Sequence, residues 1–243
     1  VQTCALPIWL ARAASTSALL STYFLRAAAT LVSCSLSALA TVALALLQTG
    51  DEVLIPDNAY GPNKALAEGE LRRYGITHQY YDPMNPDDLS ARLNPRTRLV
   101  WLEAPGSVSM EFPDLPEMVR CCRAKGVLCA LDNTWGAGLA FKPFDLLGDA
   151  HGACEQGSVA VDISAHALTK YPSGGGDVLM GSIITRDAAL HLKIKLCHMR
   201  LGLGVGANDV EAVLRSLPSV ALRYAAHDQS ARRLAAWWQT QEA

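Results

Sequence analysis

Short apolar blocks and longer mixed stretches take turns along this chain. Glu52–Pro56, Thr77–Tyr81, Thr97–Glu103 and Val127–Leu131 are short and rich in Val, Leu, Ile and Tyr, and they predict strands. Runs of this length with little alternation suit strands buried on both faces of a parallel sheet. Leu36–Gln48 is apolar nearly all round and predicts a buried helix. Asn63–Tyr74, Asp87–Leu93 and Pro116–Lys125 fall between the strands and predict further helices. A strand around Val161 and Ile163 and another over Val178–Thr185 follow, then helices over Ala188–Met199, Asp209–Leu217 and Ser219–Gln241. This β-α-β alternation predicts a three-layer α/β/α fold, with a mostly parallel sheet between helices.

Two strand ends carry the candidate chemistry. The stretch VDISAHALTKYPSGGGDVLMG (161–181) sets Lys170 where a strand opens into a glycine-rich loop. VLCALDNTWGA (127–137) ends its apolar run on Asp132. Ligand crevices in open α/β sheets lie at the carboxyl ends of the strands, where both residues would sit. A lysine at a strand end is more often a surface residue, and with Asp132 it could form a plain ion pair. The same two side chains are what pyridoxal phosphate requires: an amine for a Schiff base and an acid facing the pyridine nitrogen.

The residues around them carry a family resemblance. LDNTWGAG (131–138), ALTKYPSGGGD (167–177) and DNAYGPNK (57–64) resemble the cofactor-binding segments of the Cys/Met-metabolism pyridoxal-phosphate enzymes, a fold type I family related to aspartate aminotransferase. LEAPGSVSMEFPDLP (102–116) is similar to the β-lyase version of a segment that reads ESP-x-NP in γ-type relatives, and Trp135 replaces the Phe or Tyr usual there. The resemblance implies pyridoxal 5'-phosphate as cofactor. It implies Lys170 as Schiff-base lysine and proton-transfer base, Asp132 at the pyridine nitrogen, and Tyr60 as a stacking and catalytic residue. Thr169 and the Ser35–Leu36 turn would hold the phosphate. Ser35 stands where the family has glycine, and Ala167 where many relatives have serine, so the phosphate site is expected to be weaker. Without the resemblance, Tyr60 reads as a packing aromatic.

The implied reaction is β-elimination of cystathionine to homocysteine, pyruvate and ammonia, a step of transsulfuration and methionine biosynthesis. A γ-synthase or γ-lyase type enzyme, or an inactive cofactor-binding fragment, are the alternatives. The family implies a homo-oligomer, a dimer of dimers.

Composition narrows the rest. A net charge of -2 argues for neither nucleic acid nor an anionic membrane as partner. Seven cysteines with no CxxC and no Cys/His metal spacing read as a reduced, cytoplasmic protein. His191 and His198 read as structural. Residues 1–50 carry only Arg12 and Arg26 as charges. Pro7 and the lack of a basic start argue against a signal peptide, and the charges and Ser/Thr content against a membrane span. Residues 1–33 read as an atypical stretch outside the family pattern, 34–217 as the cofactor-binding domain, and 218–243 as the start of a linker helix. Residues 143–160 read as a loop-like insertion, and Gly202–Gly206 as a hinge rather than a phosphate loop. The family's carboxylate-gripping arginine and its Tyr-x-Arg segment have no counterpart here, so little lyase activity is expected of this stretch alone.

Overall fold

The computed structural model describes residues 27–147 and 159–241. Among these, strands β1 (Ala28–Val32), β2 (Glu52–Pro56), β3 (Thr77–Tyr81), β4 (Thr97–Glu103), β5 (Leu128–Asp132), β6 (Ile163–Ala167) and β7 (Gly181–Thr185) form one sheet. The order is β1-β7-β6-β5-β4-β2-β3. β2 to β6 are parallel, whereas β7 runs antiparallel to β6 and β1 antiparallel to β7.

Helices cover both faces. α1 (Ser35–Leu46) follows β1; α2 (Gly61–Leu66) continues into a π turn (Ala67–Leu71) before β3. α3 (Pro86–Arg92) and α4 (Leu115–Ala124) flank β4 in sequence. α5 (Ala188–Leu201), α6 (Ala207–Ser216) and α7 (Val220–Trp238) complete the described chain. One core packs Leu39 and Val42 of α1 and Leu190 and Ile194 of α5 against Ile163, Ala165 and Ile183 of the sheet. The opposite core packs Leu89 of α3 and Leu115, Met118 and Val119 of α4 against Val100, Leu102 and Leu131. The sheet is therefore the middle layer of three.

β2, β3 and β4 occupy the spans that the apolar pattern predicts, and most helix ends agree within a few residues. Three differences have local causes. The strand expected from Val178 starts only at Gly181, because Met180 bonds back to Thr169 instead of to a ladder. The Met180 N–H donates to Thr169 Oγ1 at 3.1 Å, and the Thr169 N–H donates to the Met180 carbonyl at 3.2 Å. The helix expected from Asn63 starts at Gly61, with Pro62 in its first turn, where its missing N–H costs nothing. The stretch set apart as residues 1–33 includes β1, which buries Thr30 and Val32 at the sheet edge beside β7. Its residues 1–26 lie outside the described residues.

The Gly202–Gly206 segment joins α5 to α6, and Gly202 caps α5 in the left-handed region, at φ 67°. Of the 143–160 stretch, residues 148–158 lie outside the described residues. Its base is closed by Leu146 N–H to Val159 O and Val161 N–H to Pro143 O, both 2.9 Å. His198 is buried, with Nε2 3.0 Å from the Leu203 carbonyl, in line with a structural role. Among the described residues, no helix is long and apolar enough to cross a membrane.

Gly181 sets how closely α1 approaches β7. A Cβ at this position would run into the Cys34 carbonyl at the start of α1. That obstacle is backbone and cannot rotate away. Gly181→Ala is expected to cost about 1–3 kcal/mol, the usual range for overpacking. Denaturant unfolding of the two proteins checks this; an unchanged midpoint would show that α1 sits less tightly than described.

Candidate functional site

The parallel strands β4, β5 and β6 end along one edge of the sheet. Glu103 ends β4 and Asp132 ends β5, and the two are paired in register. Neighbouring strands lie about 4.8 Å apart, so two carboxyl groups sit side by side. Both are buried, at 5% and 7% exposure. Burial disfavours the charged form. It raises the Asp132 carboxyl above its ordinary range, against two hydrogen bonds from Thr134 and the positive charge of Lys170. It raises Glu103 to about 7, assisted by repulsion from Asp132.

Thr134 gives Asp132 both of its hydrogen bonds, from its N–H at 3.1 Å and its hydroxyl at 2.6 Å, and both reach Oδ1. The same hydroxyl oxygen accepts the N–H of Ala167 at 2.8 Å, on the last residue of β6. The β5 turn and the approach to Lys170 are thus joined by one threonine. Asn133 is fully buried and binds the Ala165 carbonyl through its N–H at 2.9 Å.

Lys170 follows β6 by three residues and is exposed. Its Nζ lies 4.1 Å from the centroid of the Trp135 ring, a cation–π contact. The glycine-rich loop beyond it is braced by α7. Arg223 donates from Nη1 to the Tyr171 carbonyl at 2.5 Å and from Nη2 to the Ser216 carbonyl at 3.2 Å. Tyr224 packs on Tyr171 with ring centroids 4.8 Å apart, and its hydroxyl donates to the Trp135 carbonyl at 3.1 Å.

Tyr60 stands at the N-cap of α2 with its side chain about one third exposed. Its N–H donates to Glu103 Oε2 at 2.8 Å. Ser35 and Leu36 open α1, whose N-cap is Cys34; Cys34 Sγ accepts the Ser37 N–H at 3.3 Å. No hydrogen bond within the described residues uses the Ser35 or Leu36 amide, and the positive end of the helix dipole lies there. Thr169 lies close to this turn: its hydroxyl holds Met180, the neighbour of Gly181, which abuts Cys34.

The structure thus sets Asp132, Lys170 and, through Glu103, Tyr60 at one edge, and it joins Thr169 to the Ser35 end of α1. Sequence reasoning missed Glu103, Thr134 and Arg223. Glu103 and Thr134 lie inside segments singled out for other residues. Arg223 contacts Tyr171 across 52 residues and gives no local signal. A cavity of about 110 Å³ lies elsewhere, lined by apolar side chains such as Leu31, Met180, Ile184 and Val213, and includes neither Asp132 nor Lys170. Among the described residues, no His, Cys, Asp and Glu group could hold a metal ion.

The raised Glu103 carboxyl has a consequence for stability. A folded-state value near 7 against an ordinary one near 4.5 means the folded protein holds this proton more tightly. The resulting stability is fully present below about pH 4.5 and is lost as pH rises through 7. Glu103→Gln removes the titration, so its stability relative to wild type should rise with pH over this window and level off above it. Denaturant unfolding of both proteins at a series of pH values reads the difference; a constant gap would show that Glu103 titrates normally.

The family profile described as Cys/Met metabolism PLP-dependent enzyme matches residues 23–243, beginning upstream of β1. Over 201 residues the chain is 33% identical to the cystathionine beta-lyase of Bordetella avium, spanning 83% of this chain and 47% of that protein. It is 28% identical over 210 residues to a Bacillus subtilis cystathionine gamma-synthase/O-acetylhomoserine (thiol)-lyase, spanning 86% of this chain and 52% of that one. The chain spans about half the length of the curated relatives it matches. Among solved structures, metB from Corynebacterium glutamicum shares the fold with a TM-score of 0.79 at 19% identity, over 92% of this chain and 56% of its own. With this mixed, mostly parallel sheet and this match along its length, the chain belongs to the Cys/Met-metabolism family of pyridoxal-phosphate-dependent enzymes, and pyridoxal phosphate is its cofactor.

Proposed function

We propose that the Asp132–Lys170 edge is the cofactor site of a carbon–sulfur lyase that cleaves cystathionine by β-elimination. One observation carries the reading: Thr134 bonds the buried Asp132 carboxyl and also the backbone of Ala167, three residues before the exposed Lys170, so acid and lysine segment are joined at adjacent strand ends. The residues present fit pyridoxal phosphate. The acid suits a protonated ring nitrogen, the amine suits an aldehyde, and the free amides of Ser35 and Leu36 at a helix N-terminus suit a phosphate.

When bound, pyridoxal phosphate supplies an electron sink for the carbanion formed next to the substrate's amino group. Lys170 would hold the cofactor through Nζ, and the same atom could take the α-proton of the substrate. Asp132 keeps the ring nitrogen protonated through its carboxylate. A protonated ring nitrogen held by Asp132 would favour its ionised form, against the burial that now raises it. Tyr60 would cover the ring face. Thr169 keeps the glycine-rich loop against the start of β7 through its hydroxyl, which would bond a phosphate by giving up its 3.4 Å contact with the Met180 carbonyl.

The names of the β-lyase relatives and Trp135 in the DNTW segment support β over γ chemistry. The γ-synthase relative keeps the γ reading as the alternative. The thiol product separates them, because β-elimination releases homocysteine and γ-elimination releases cysteine.

Two measurements test the proposal. Borohydride treatment of the protein with pyridoxal phosphate should attach the cofactor to Lys170, as read by peptide mass, and Lys170→Ala should retain none. Attachment at another lysine, or undiminished attachment in Lys170→Ala, would refute the assignment. Cystathionine turnover, expected to be slow for this stretch alone, should yield homocysteine and pyruvate, and Asp132→Ala should lower it by about a hundredfold, as expected when a charged hydrogen bond of roughly 3 kcal/mol acts in the transition state. Cysteine as product would move the reading to γ chemistry, and attachment without turnover to the inactive alternative.

A further inference from the structure

Glu103 is a buried carboxyl at the same edge, and the chemistry above leaves it without a task. Each of its oxygens is committed. Oε2 accepts the backbone N–H of Tyr60 at 2.8 Å, and Oε1 accepts the hydroxyl of Ser107 at 2.6 Å. These partners belong to separate segments, the turn that opens α2 and the 104–111 loop after β4. A second set of contacts joins the same two segments. Asn58 Nδ2 donates to Ser109 Oγ at 3.1 Å and to Glu111 Oε2 at 2.9 Å. Gly106 packs against the Asn58 side chain so closely that a Cβ there would collide with it. Tyr60 has no side-chain cap of its own at the start of α2. Glu103 is therefore the acceptor that fixes its backbone, and it stands in register beside Asp132.

We propose that Glu103 is a positioning residue: its carboxylate fastens the Tyr60 backbone and the 104–111 loop to the end of β4, and so holds the tyrosine ring at a set distance from Asp132. This rests on the reading of the Asp132–Lys170 edge as the cofactor site. A carboxylate suits the task because both partners are donors. A glutamine of the same shape accepts from the Tyr60 N–H through its oxygen and donates to Ser107 Oγ, so it preserves the anchor without the charge. An alanine leaves the Tyr60 N–H unpaired, and the turn is expected to open.

Hydrogen exchange of the Tyr60 amide in the cofactor-free protein reads the anchor, and visible circular dichroism of bound pyridoxal phosphate reads the orientation of the ring. Above pH 7, where Glu103 is ionised, Glu103→Ala should speed Tyr60 exchange by about tenfold or more, as loss of a hydrogen bond to a charged group implies. It should also weaken the visible dichroism. Glu103→Gln should stay within about threefold of wild type in exchange, and should keep the sign and intensity of the band. Wild-type exchange in Glu103→Ala would overturn the proposal. So would an equal acceleration in Glu103→Gln, or a faster amide with an unchanged dichroic band. If Glu103→Ala does not fold, Glu103→Asp serves in its place: one methylene shorter, it keeps the charge but cannot reach both donors, and the same results apply to it. A wild-type protein that takes up no pyridoxal phosphate would refute the cofactor reading and this proposal together. Unaltered Tyr60 exchange refutes this proposal alone.

Discussion

Asp132 is a carboxyl kept out of water at a sheet edge, and much of its surroundings serves to make that burial tolerable. Removing an ionised acid from water is costly unless hydrogen bonds and an opposite charge replace the lost hydration. Thr134 supplies the hydrogen bonds and Lys170 the charge, while Glu103 beside it opposes both. Because the Thr134 hydroxyl also accepts from Ala167, the satisfaction of the acid and the placement of the lysine segment are one event. Losing Thr134 would unsettle both.

The topology brings distant segments to this acid. Parallel strands point their carboxyl ends the same way, so Glu103, Asp132 and the Lys170 turn meet at one edge. The antiparallel return of β7 then carries Gly181 against Cys34 and joins the start of α1 to the Thr169 turn. α7 closes the arrangement from outside, through Arg223 on the Tyr171 carbonyl and Tyr224 on the Trp135 carbonyl. Strand order and a few bonds to backbone thus join Tyr60 to the end of β4, Asp132 to the end of β6, and the Thr169 turn to the start of β7, which abuts Cys34.

What was legible in the sequence follows from how local each cause is. β2 and β4 could be read because their apolar runs are set by burial between two helix layers; β3, the last strand of the sheet with only Tyr81 buried, could be read from its β-favouring Thr and Tyr residues. Asp132 and Lys170 could be read because each ends an apolar run and sits in a motif. Glu103 could not be read as a buried group. A glutamate at a strand end is ordinarily solvated, and its partners Tyr60 and the Asp132 strand are far away in sequence. β1 was missed because its five residues sit in a stretch poor in charge, where no polar alternation marks a strand. Its pairing with β7 depends on a partner more than 140 residues away.

The central claim is that Asp132 faces the ring nitrogen of the cofactor. Nuclear magnetic resonance of bound pyridoxal phosphate, isotopically labelled at that nitrogen, tests it most directly. The account predicts a protonated nitrogen in the wild-type protein at neutral pH and an unprotonated one in Asp132→Ala. An unprotonated nitrogen in the wild type, or the same protonation in both proteins, would contradict it.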